Sequence, residues 1–405
     1  MHEEIIATID IGSSKIIAAA GKKDEKGAIR ILALETEPTK NSVRKGRIFS
    51  LEEVSNNIRT LLDRLNSELN EKIVKIYVGV GGQSLITTPV ATEESESAVV
   101  DEQLLPPLQD TGETCHPDLL ILGNPSIQRN LKICISDKND IEIAGYFTAP
   151  VATAAATLTD QEKGSGCALI EFGAGITYLS VYKDNLLQYL VAIPIGGNVI
   201  TKDICDLGVP ENEAEDLKIN ALTNDIGENN SSLKTLNDIV EARVNEIIAN
   251  IREQLKISGF LNALEGGIII TGGAAALKNL AKSIGEKINQ KVRIASVREE
   301  LIHPDSSKYM QYKGIEETIG LLSLGTENCI KPKEVENPFA PLTGTGNFDN
   351  SLFPEDEIEV KEKKTKKRTP TEKPDKSISK FLNRVSKSLF SDPDSTNESD
   401  KNDNV

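Results

Sequence analysis

The sequence has 405 residues, enough for more than one domain with a sizeable core. Its formal net charge is −16, it has no Trp and only 4% aromatic residues, which disfavours a nonspecific nucleic-acid-binding protein. Five scattered cysteines without a CxxC pair exclude the usual zinc spacings and favour reduced thiols in the cytosol. The acidic N-terminus predicts no signal peptide, and no apolar run approaches a transmembrane length.

The first predicted unit is a buried strand over residues 5–9 that ends at Asp10, a glycine-containing turn and a returning strand over 16–20. An amphipathic helix over 51–69 and a strand over 73–80 follow. Residues 86–118 are acidic and loop-like.

The same plan recurs later in the chain. A strand over 167–172, a turn over 173–175 and a return over 176–182 predict an internal duplication of a βββαβα-type half. Apolar residues at helical spacing predict helices over 126–136 and 236–257.

The first turn is a candidate phosphate-binding loop. Glycine lets backbone N–H groups approach phosphate oxygens, hydroxyl groups add donors, and a lysine adds a positive charge. A carboxylate at the strand end can hold Mg²⁺ through its waters. The residues with these predicted roles are Asp10, Gly12, Ser13, Ser14 and Lys15. An ordinary hairpin has the same pattern, so the motif alone leaves both interpretations open.

The second turn has the same layout, with an acidic residue in the same place. Two such loops can clamp phosphates from opposite sides. The predicted nucleotide-binding residues are Gly173, Ala174, Gly175 and Thr177, and Glu171 is a second candidate for holding Mg²⁺ through water and a possible catalytic group. A glycine-rich hairpin without a ligand is the alternative, although the recurrence argues against it.

Two later glycine pairs complete the candidate site. Gly196, Gly197 and Asn198 admit a nucleotide against the backbone, with Glu215 on the ribose hydroxyls and Lys218 near the base. For that acid–lysine pair alone, a solvated i,i+3 contact is the better interpretation. Gly272, Gly273 and Ala274 precede a helix N-terminus that suits an adenosine phosphate, or they form an ordinary turn.

The order of these motifs is more specific than any one of them. It is the series found in the actin, sugar kinase and Hsp70 group, and within that group the sequence resembles the FtsA family of bacterial cell division proteins. The resemblance is carried by residues 10–15, 167–181, 193–203, 214–218 and 268–275, by Gly320-Leu-Leu and by a C-terminal amphipathic segment.

The resemblance implies an α/β, actin-like (ribonuclease H-like) fold, duplicated in two lobes and followed by a disordered linker and an amphipathic helix. The implied subdomains are 1A over 1–85, 145–192 and 315–330, a shortened inserted 1C over 86–144, 2A over 193–218 and 262–314, and 2B over 219–261. The linker is expected over 331–376, the membrane-targeting helix over 377–391 and an acidic tail over 392–405.

The resemblance also implies a function. The family binds ATP with Mg²⁺ and polymerises on the cytoplasmic face of the inner membrane at the division septum. There it tethers FtsZ filaments and recruits later divisome proteins. Expected partners are therefore the FtsZ C-terminal peptide on subdomain 2B, other copies of the chain, membrane lipids and later division proteins, but no nucleic acid.

Three departures from the family pattern affect this expectation. Glu171 stands where the family usually has Asp, and Mg²⁺ tolerates little distortion. Ala149, before Pro150, stands where hydrolysing relatives such as MreB and Hsp70 place a water-orienting Glu, so we expect tight ATP binding and at most weak ATPase activity. The segment over 86–118 is shorter than the corresponding family subdomain.

The segment over 377–391 has the apolar spacing of an interfacial helix. Its predicted membrane-facing residues are Ile378, Phe381, Leu382, Val385, Leu389 and Phe390. Eleven basic and three acidic residues between Lys361 and Ser391 give a local charge of +8, which favours an anionic membrane over the alternative, docking on a protein.

Three other functions stay open at this point. A small-molecule kinase of the same fold would need a catalytic carboxylate facing a sugar pocket and would have no use for the C-terminal segment. An Hsp70-like chaperone ATPase would need a substrate domain after the two lobes. A pilus-assembly scaffold related to FtsA would normally lack the amphipathic helix.

Overall fold

The computed structural model describes residues 4–89, 115–223, 231–277 and 279–331. The first half contains, in chain order, β1 (Ile6–Ile11), β2 (Lys15–Lys23), β3 (Ile29–Pro38), β4 (Val43–Arg44), β5 (Arg47–Ile48), α1 (Leu51–Leu69), β6 (Lys75–Val80), β7 (Ile86–Pro89), β8 (Leu119–Leu122), α2 (Ser126–Lys132), β9 (Glu142–Thr148) and α3 (Ala149–Thr157). A π-helical turn, Ile133–Asp137, extends α2, where the sequence predicts one helix.

The second half contains α4 (Asp160–Ser165), β10 (Cys167–Phe172), β11 (Thr177–Lys183), β12 (Leu186–Ile193), α5 (Gly197–Cys205), α6 (Glu211–Thr223), α7 (Ser231–Ile257), β13 (Gly267–Thr271), α8 (Leu280–Ile288), β14 (Val292–Ile294) and α9 (Ile315–Leu324). Short 3₁₀ turns lie at Gly273–Ala276, Glu299–Leu301 and Pro304–Tyr309. The helix predicted from residue 236 therefore begins five residues earlier.

The two halves repeat one topology, which confirms the predicted duplication and the actin-like α/β class. The first sheet has the order β3-β2-β1-β6-β9, and the second contains the corresponding order β12-β11-β10-β13-β14. In each sheet the first three strands pair antiparallel and the last two pair parallel. The central strands are apolar nearly throughout, as expected for a sheet covered on both faces.

The predicted inserted subdomain contributes strands to the second sheet. β7 pairs with β12 through Ile86 and Val191, and β8 pairs antiparallel with β7, so the complete order is β14-β13-β10-β11-β12-β7-β8. β10, β11 and most of β12 lie within the segment 145–192 that was assigned to subdomain 1A, yet all three belong to the second sheet. Apart from β7 and β8, the strands of the second sheet thus begin at Cys167, and the subdomain division itself stays a prediction.

Two helices, α3 and α9, pack against each other at very short distance. α3 is buried on nearly every side, and it contacts β6 and β9 of the first sheet and β11 of the second. α9 packs on α3 and on β1 and β2. A Cβ atom on Gly320 of α9 would collide with the carbonyl oxygen of Ala152, so glycine is required for this approach.

All five cysteines are unpaired, and four are buried, in agreement with the prediction of reduced thiols. Of the helices within the described residues, none has the length and apolar character needed to span a bilayer. The linker beyond residue 331, the predicted membrane-facing residues, the acidic tail, and residues 90–114 and 224–230 lie outside the described part of the chain.

Candidate functional site

The first predicted phosphate loop joins β1 to β2. The Gly12 N–H donates to the carbonyl oxygen of Lys15 at 3.0 Å, which closes the hairpin. Asp10 lies just before the turn, and Ser14 is exposed at its tip. The Lys15 ammonium donates to the carbonyl oxygen of Lys313 at 2.5 Å, so this lysine is already engaged.

The second predicted loop joins β10 to β11 in the same way. The Gly173 N–H donates to the carbonyl oxygen of Ile176 at 2.9 Å. Glu171 occupies the position on β10 that corresponds to Asp10 on β1. The Thr177 hydroxyl donates to the carbonyl oxygen of Ile195 at 2.7 Å and thereby fixes the start of α5 beside the loop.

The glycine pair before α5 lies directly against the second loop. The Gly197 N–H donates to the Gly173 carbonyl oxygen at 3.0 Å, and the Asn198 N–H donates to that of Ala174 at 2.8 Å. A Cβ atom on Gly196 would lie 2.6 Å from both carbonyl oxygens. These amides at the N-terminus of α5 therefore hold the loop in place.

The two loops meet at their tips. A Cβ atom on Gly175 would lie 2.8 Å from the Ser13 Oγ atom and 2.9 Å from the Lys45 backbone nitrogen. The Ser13 Oγ atom also accepts a hydrogen bond from the Gly46 N–H at 3.0 Å. The β4–β5 turn, which carries Lys45 and Gly46, therefore joins both predicted phosphate loops.

Three carboxyl groups are buried together beneath the loops. Burial is the main cause that raises the pKa of Asp10 to about 6, although a hydrogen bond with Glu317 and the charge of Lys15 oppose it. Burial also raises the pKa of Glu171 to about 7, the Thr153 hydroxyl lowers it, and the charge of Asp10 raises it further. Desolvation outweighs every favourable contact at both strand ends.

Glu317, in the first turn of α9, is the most strongly perturbed of the three. Burial, followed by the charges of Asp10 and Glu171, raises its pKa well above the ordinary value. The residue is only 7% exposed, and its Oε1 atom has no hydrogen-bond partner within the described residues. A Cβ atom on Gly79 would lie 2.6 Å from that oxygen. Glu317 therefore lies under the ends of β1 and β6.

These carboxyl groups fit a hydrated divalent cation better than a directly liganded one. No three acidic, histidine or cysteine side chains in the described residues converge closely enough to hold a metal directly. Glu171 nevertheless has an unpartnered buried oxygen, Oε2, and it lies close enough to Asp10 for their charges to interact. Mg²⁺ commonly keeps several waters and binds through one or two carboxylates and phosphate oxygens.

The predicted acid–lysine pair on α6 belongs to a cluster in which the lysine is buried and the glutamate is partly exposed. Lys218 is 8% exposed, and its ammonium donates to Glu215 at 2.6 Å and to the Thr201 hydroxyl at 2.9 Å. That hydroxyl donates to the same Glu215 oxygen at 2.7 Å. Burial would raise the pKa of Glu215, but these bonds outweigh it and lower the pKa.

The last glycine pair closes this side of the cleft. Gly272 has φ +91°, and a Cβ atom there would collide with the Phe172 carbonyl group, so both backbone and packing require glycine. A Cβ atom on Gly273 would meet nothing within 4 Å, whereas one on Gly197 would lie 3.5 Å from the Lys218 ammonium and 3.8 Å from Ala274. Open space thus adjoins the Lys218 cluster.

Ala149 and Pro150 begin α3, as the sequence predicts, and no acidic side chain is present at either position. Nearby, the Tyr178 hydroxyl accepts a hydrogen bond from the Gly82 N–H at 2.6 Å. Burial raises the pKa of that tyrosine well above the ordinary value, so it stays neutral. A water-orienting acid is therefore absent from this position.

The structure brings the two predicted hairpins, both glycine pairs and the Lys218 cluster close together, and their role in binding a nucleotide stays a prediction. Sequence reasoning did not single out Glu317 or Lys45. An acidic residue in the first turn of a helix usually only complements the helix dipole, which hides the role of Glu317. No local signal marks Lys45, because Lys-Gly is not among the pairs, such as Asn-Gly, that indicate a tight hairpin turn.

Comparison with known proteins agrees with this geometry. Residues 168–312 match the family model of the cell division protein FtsA. Cell division protein FtsA of Porphyromonas gingivalis is 30% identical, over 80% of this chain and 79% of that protein. Cell division protein FtsA of Bacillus subtilis is 26% identical, over 73% of this chain and 79% of that protein.

The solved PilM–PilN type IV pilus biogenesis complex contains a chain of the same fold. It superposes with a TM-score of 0.60 at 13% identity, over 80% of this chain and 99% of that chain. That similarity supports the actin-like fold alone. The sequence relatives decide the family: this chain belongs to the FtsA family of cell division proteins.

Proposed function

We propose that this protein binds ATP with Mg²⁺ between its two phosphate loops and, as a polymer, tethers FtsZ filaments to the cytoplasmic face of the inner membrane. One observation carries the nucleotide part of the proposal. Two glycine hairpins from corresponding positions of two similar sheets meet at their tips, above carboxyl groups that have unpartnered oxygens. Such an arrangement has both donors for phosphate and acids for a hydrated cation.

In this proposal each part of the cleft has one role. The backbone of the hairpins at 12–15 and 173–175 contacts the phosphates. The Lys218 cluster and Gly273 border the nucleoside, with Glu215 placed to accept from the ribose hydroxyls. Asp10 and Glu171 hold the waters of Mg²⁺, which when bound neutralises phosphate charge. The family pattern of an acid at both strand ends is kept, with Glu171 one methylene longer than Asp.

We infer that hydrolysis is slow. Ala149 offers only a methyl group where an attacking water would need a carboxylate to orient it. The buried Glu317 does not replace that acid, because it lies beside Asp10 and Gly79, under the ends of β1 and β6. The protein is therefore expected to hold ATP for long periods and to act at most as a weak ATPase.

Titration calorimetry of the full-length protein with ATP and Mg²⁺ tests the nucleotide proposal. We expect saturable binding of one ATP per chain, and turnover far below that of an efficient ATPase. The Lys218→Met variant should bind ATP at least tenfold more weakly, since a charged hydrogen-bonded group is removed. Wild-type protein without measurable ATP binding would refute the proposal.

The membrane part of the proposal rests on residues 377–391. Ile378, Phe381, Leu382, Val385, Leu389 and Phe390 would enter the interface, and nearby basic residues would add roughly 1 kcal/mol each on an anionic leaflet. Because the helix must also be ordered, the net affinity per chain should be modest. Stable attachment at the septum then depends on many copies acting together.

Flotation with anionic liposomes tests this attachment. Full-length protein should float, and protein ending at Asp375 should not. Leu382→Asp with Leu389→Asp should also abolish flotation. Asn383→Asp with Ser391→Asp adds the same charge on the opposite face of the predicted helix and should largely preserve it. Equal flotation of both double variants would contradict the interfacial helix.

The FtsZ peptide is proposed to bind on α6 and α7, within residues 219–261, and later divisome proteins are proposed as further partners. Arg243 of α7 is bonded to Asp203 at 2.5 Å and to Glu246 at 2.6 Å. It therefore joins α7 to α5 and is not an open contact for a peptide. Co-pelleting with FtsZ and liposomes tests this part, and failure of FtsZ to pellet with membrane-bound protein would refute it.

A further inference from the structure

The β4–β5 hairpin places a lysine at the meeting point of the two phosphate loops. The turn consists of Lys45 and Gly46, with φ angles of 46° and 67°. Positive φ at both central residues defines a type I′ turn, for which Asn-Gly is the preferred pair. A lysine in this left-handed conformation is unusual, and such outliers concentrate at ligand-binding sites.

The turn is packed from three sides. The Gly46 N–H donates to the Ser13 Oγ atom at 3.0 Å, and a Cβ atom on Gly46 would lie 2.6 Å from the Gly82 Cα atom and 3.1 Å from Ile176. The Lys45 backbone nitrogen lies 2.9 Å from where a Cβ atom of Gly175 would be. The backbone of the turn is therefore fixed, and Lys45 can only move its side chain.

The Lys45 ammonium group also differs from those of the two predicted binding lysines, because it has no partner in the part of the chain that the structure describes. The lysine predicted from the first motif, Lys15, donates to the Lys313 carbonyl oxygen, and Lys218 is bonded to Glu215 and Thr201. Within the described residues, the half-buried Lys45 has neither a hydrogen bond nor an ion pair. Its ammonium group is available to a ligand.

The position of the turn specifies which part of a nucleotide Lys45 would contact. The second loop runs from Gly173, which contacts Gly197 beside the Lys218 cluster, to Gly175, which contacts Ser13 and Lys45. If the nucleoside lies at the Lys218 end, as in the proposed function, the phosphate chain extends along the loop. Lys45 then lies at the far end of that chain.

We propose that Lys45 binds the terminal phosphate of ATP and so lets the protein distinguish ATP from ADP. This inference rests on the proposed nucleotide site and adds a binding residue to it. A lysine on a flexible stem acts as a point charge for phosphate, and its contact exists only when a third phosphate is present. The residue that distinguishes ATP from ADP thus lies in neither glycine hairpin but in the β4–β5 turn, which contacts both hairpins.

The test measures ATP and ADP affinities, each with Mg²⁺, by titration calorimetry on full-length protein. Lys45→Asn and Lys45→Gly remove the charge but suit the left-handed backbone, so the turn should be kept. We expect both to bind ATP about tenfold or more weakly, with ADP affinity changed less than about threefold. Lys45→Arg keeps the charge and should restore most of the preference for ATP.

Arg44→Asn is the matched control, because Arg44 lies on the same hairpin with its guanidinium over the exposed Phe49 ring, 5.6 Å from its centroid. It should change neither affinity. Equal affinities of wild type and Lys45→Asn for ATP would overturn the inference, and so would an equal loss of ATP and ADP binding. Under either outcome, ATP binding by the wild-type protein would still support the proposed nucleotide site. Wild-type protein that binds neither ATP nor ADP would refute both the nucleotide site and the role of Lys45.

Discussion

At the scale of single residues, the cleft combines acids whose pKa values are raised by burial with two paired lysines, Lys15 and Lys218, and with Lys45, which has no partner among the described residues. Asp10, Glu171 and Glu317 lie close enough for their charges to interact, and all three have a raised pKa, chiefly because they are buried. Mutual repulsion of buried carboxylates costs stability in the nucleotide-free protein. A bound cation with phosphates would relieve that cost.

Replacing Glu317 by Gln should stabilise the nucleotide-free protein near neutral pH by about 1–3 kcal/mol, since an amide can donate to Asp10 without carrying a charge. The pKa of Glu317 is raised in the folded state, so its stabilising contribution is present below about pH 4.5 and is lost as pH rises through the folded-state pKa. The difference between variant and wild type should therefore grow from acid to neutral pH in denaturant titrations.

The exposed Glu286→Gln substitution is the control for the pH series, because Glu286 makes only a long surface contact of 3.9 Å with Lys282. It should show no pH-dependent difference from wild type. A Glu317→Gln protein that is less stable than wild type at pH 7.5 would contradict the burial argument.

Contact between the loops gives a second expectation at this scale. Gly175→Ala should destabilise the nucleotide-free protein by about 1–3 kcal/mol, because the added methyl group meets Ser13 and the Lys45 backbone. Gly273→Ala should leave the unfolding free energy nearly unchanged, since a Cβ atom there meets open space. Urea unfolding curves measure both, and equal losses for the two variants would argue against contact between the loops.

Much of the site could be predicted from sequence because its motifs are local. Gly12, Gly173 and Gly272 each follow a strand end, and short-range spacing reveals them. Glu317 and Lys45 could not be found in this way, since their roles arise when residues far apart in sequence meet. Lys45, for example, comes near Gly175 only after both halves of the chain have folded.

At the scale of elements, α3 and α9 connect the proposed nucleotide cleft to the sheets. Ala-rich α3 and Gly320 of α9 bring the two backbones together without intervening side chains. Glu317 lies one turn before Gly320 on α9. The same helix therefore carries one member of the carboxyl cluster and the close contact with α3. Repeated strand patterns predicted the sheets, and the short apolar run Leu119–Leu122 predicted β8, but β4, β5 and β7 are too short to give a periodic signal.

Gly320→Ala should therefore destabilise the protein by about 3 kcal/mol or more, because the methyl group collides with the Ala152 carbonyl oxygen. Gly164→Ala in α4 is the matched control. There the nearest atoms belong to Asn185, at 3.6–4.0 Å, so alanine should be neutral or stabilise by up to about 1 kcal/mol. Thermal unfolding distinguishes the two, and similar melting temperatures would contradict the close helix contact.

At the scale of the whole molecule, one ligand would join parts of both sheets. We expect ATP with Mg²⁺ at about one hundred times its dissociation constant to raise the unfolding free energy by about 2.7 kcal/mol. ATP with EDTA should raise it much less, because the carboxyl groups would then face phosphate without a cation. Equal stabilisation with and without Mg²⁺ would exclude a cation from the site.

The strands β7 and β8 belong to the second sheet, although they precede β9, a strand of the first sheet, in the sequence. The two halves are therefore interleaved along the chain. The end of the described chain also returns to the start, where the Cys329 N–H donates to the Ile5 carbonyl oxygen at 2.7 Å. During synthesis, therefore, β7 and β8 leave the ribosome before their neighbour β12 exists. If the protein is expressed as two fragments divided near residue 159, we expect each fragment to be insoluble alone and soluble only when both are co-expressed. This is expected even though each half contains one copy of the repeated topology.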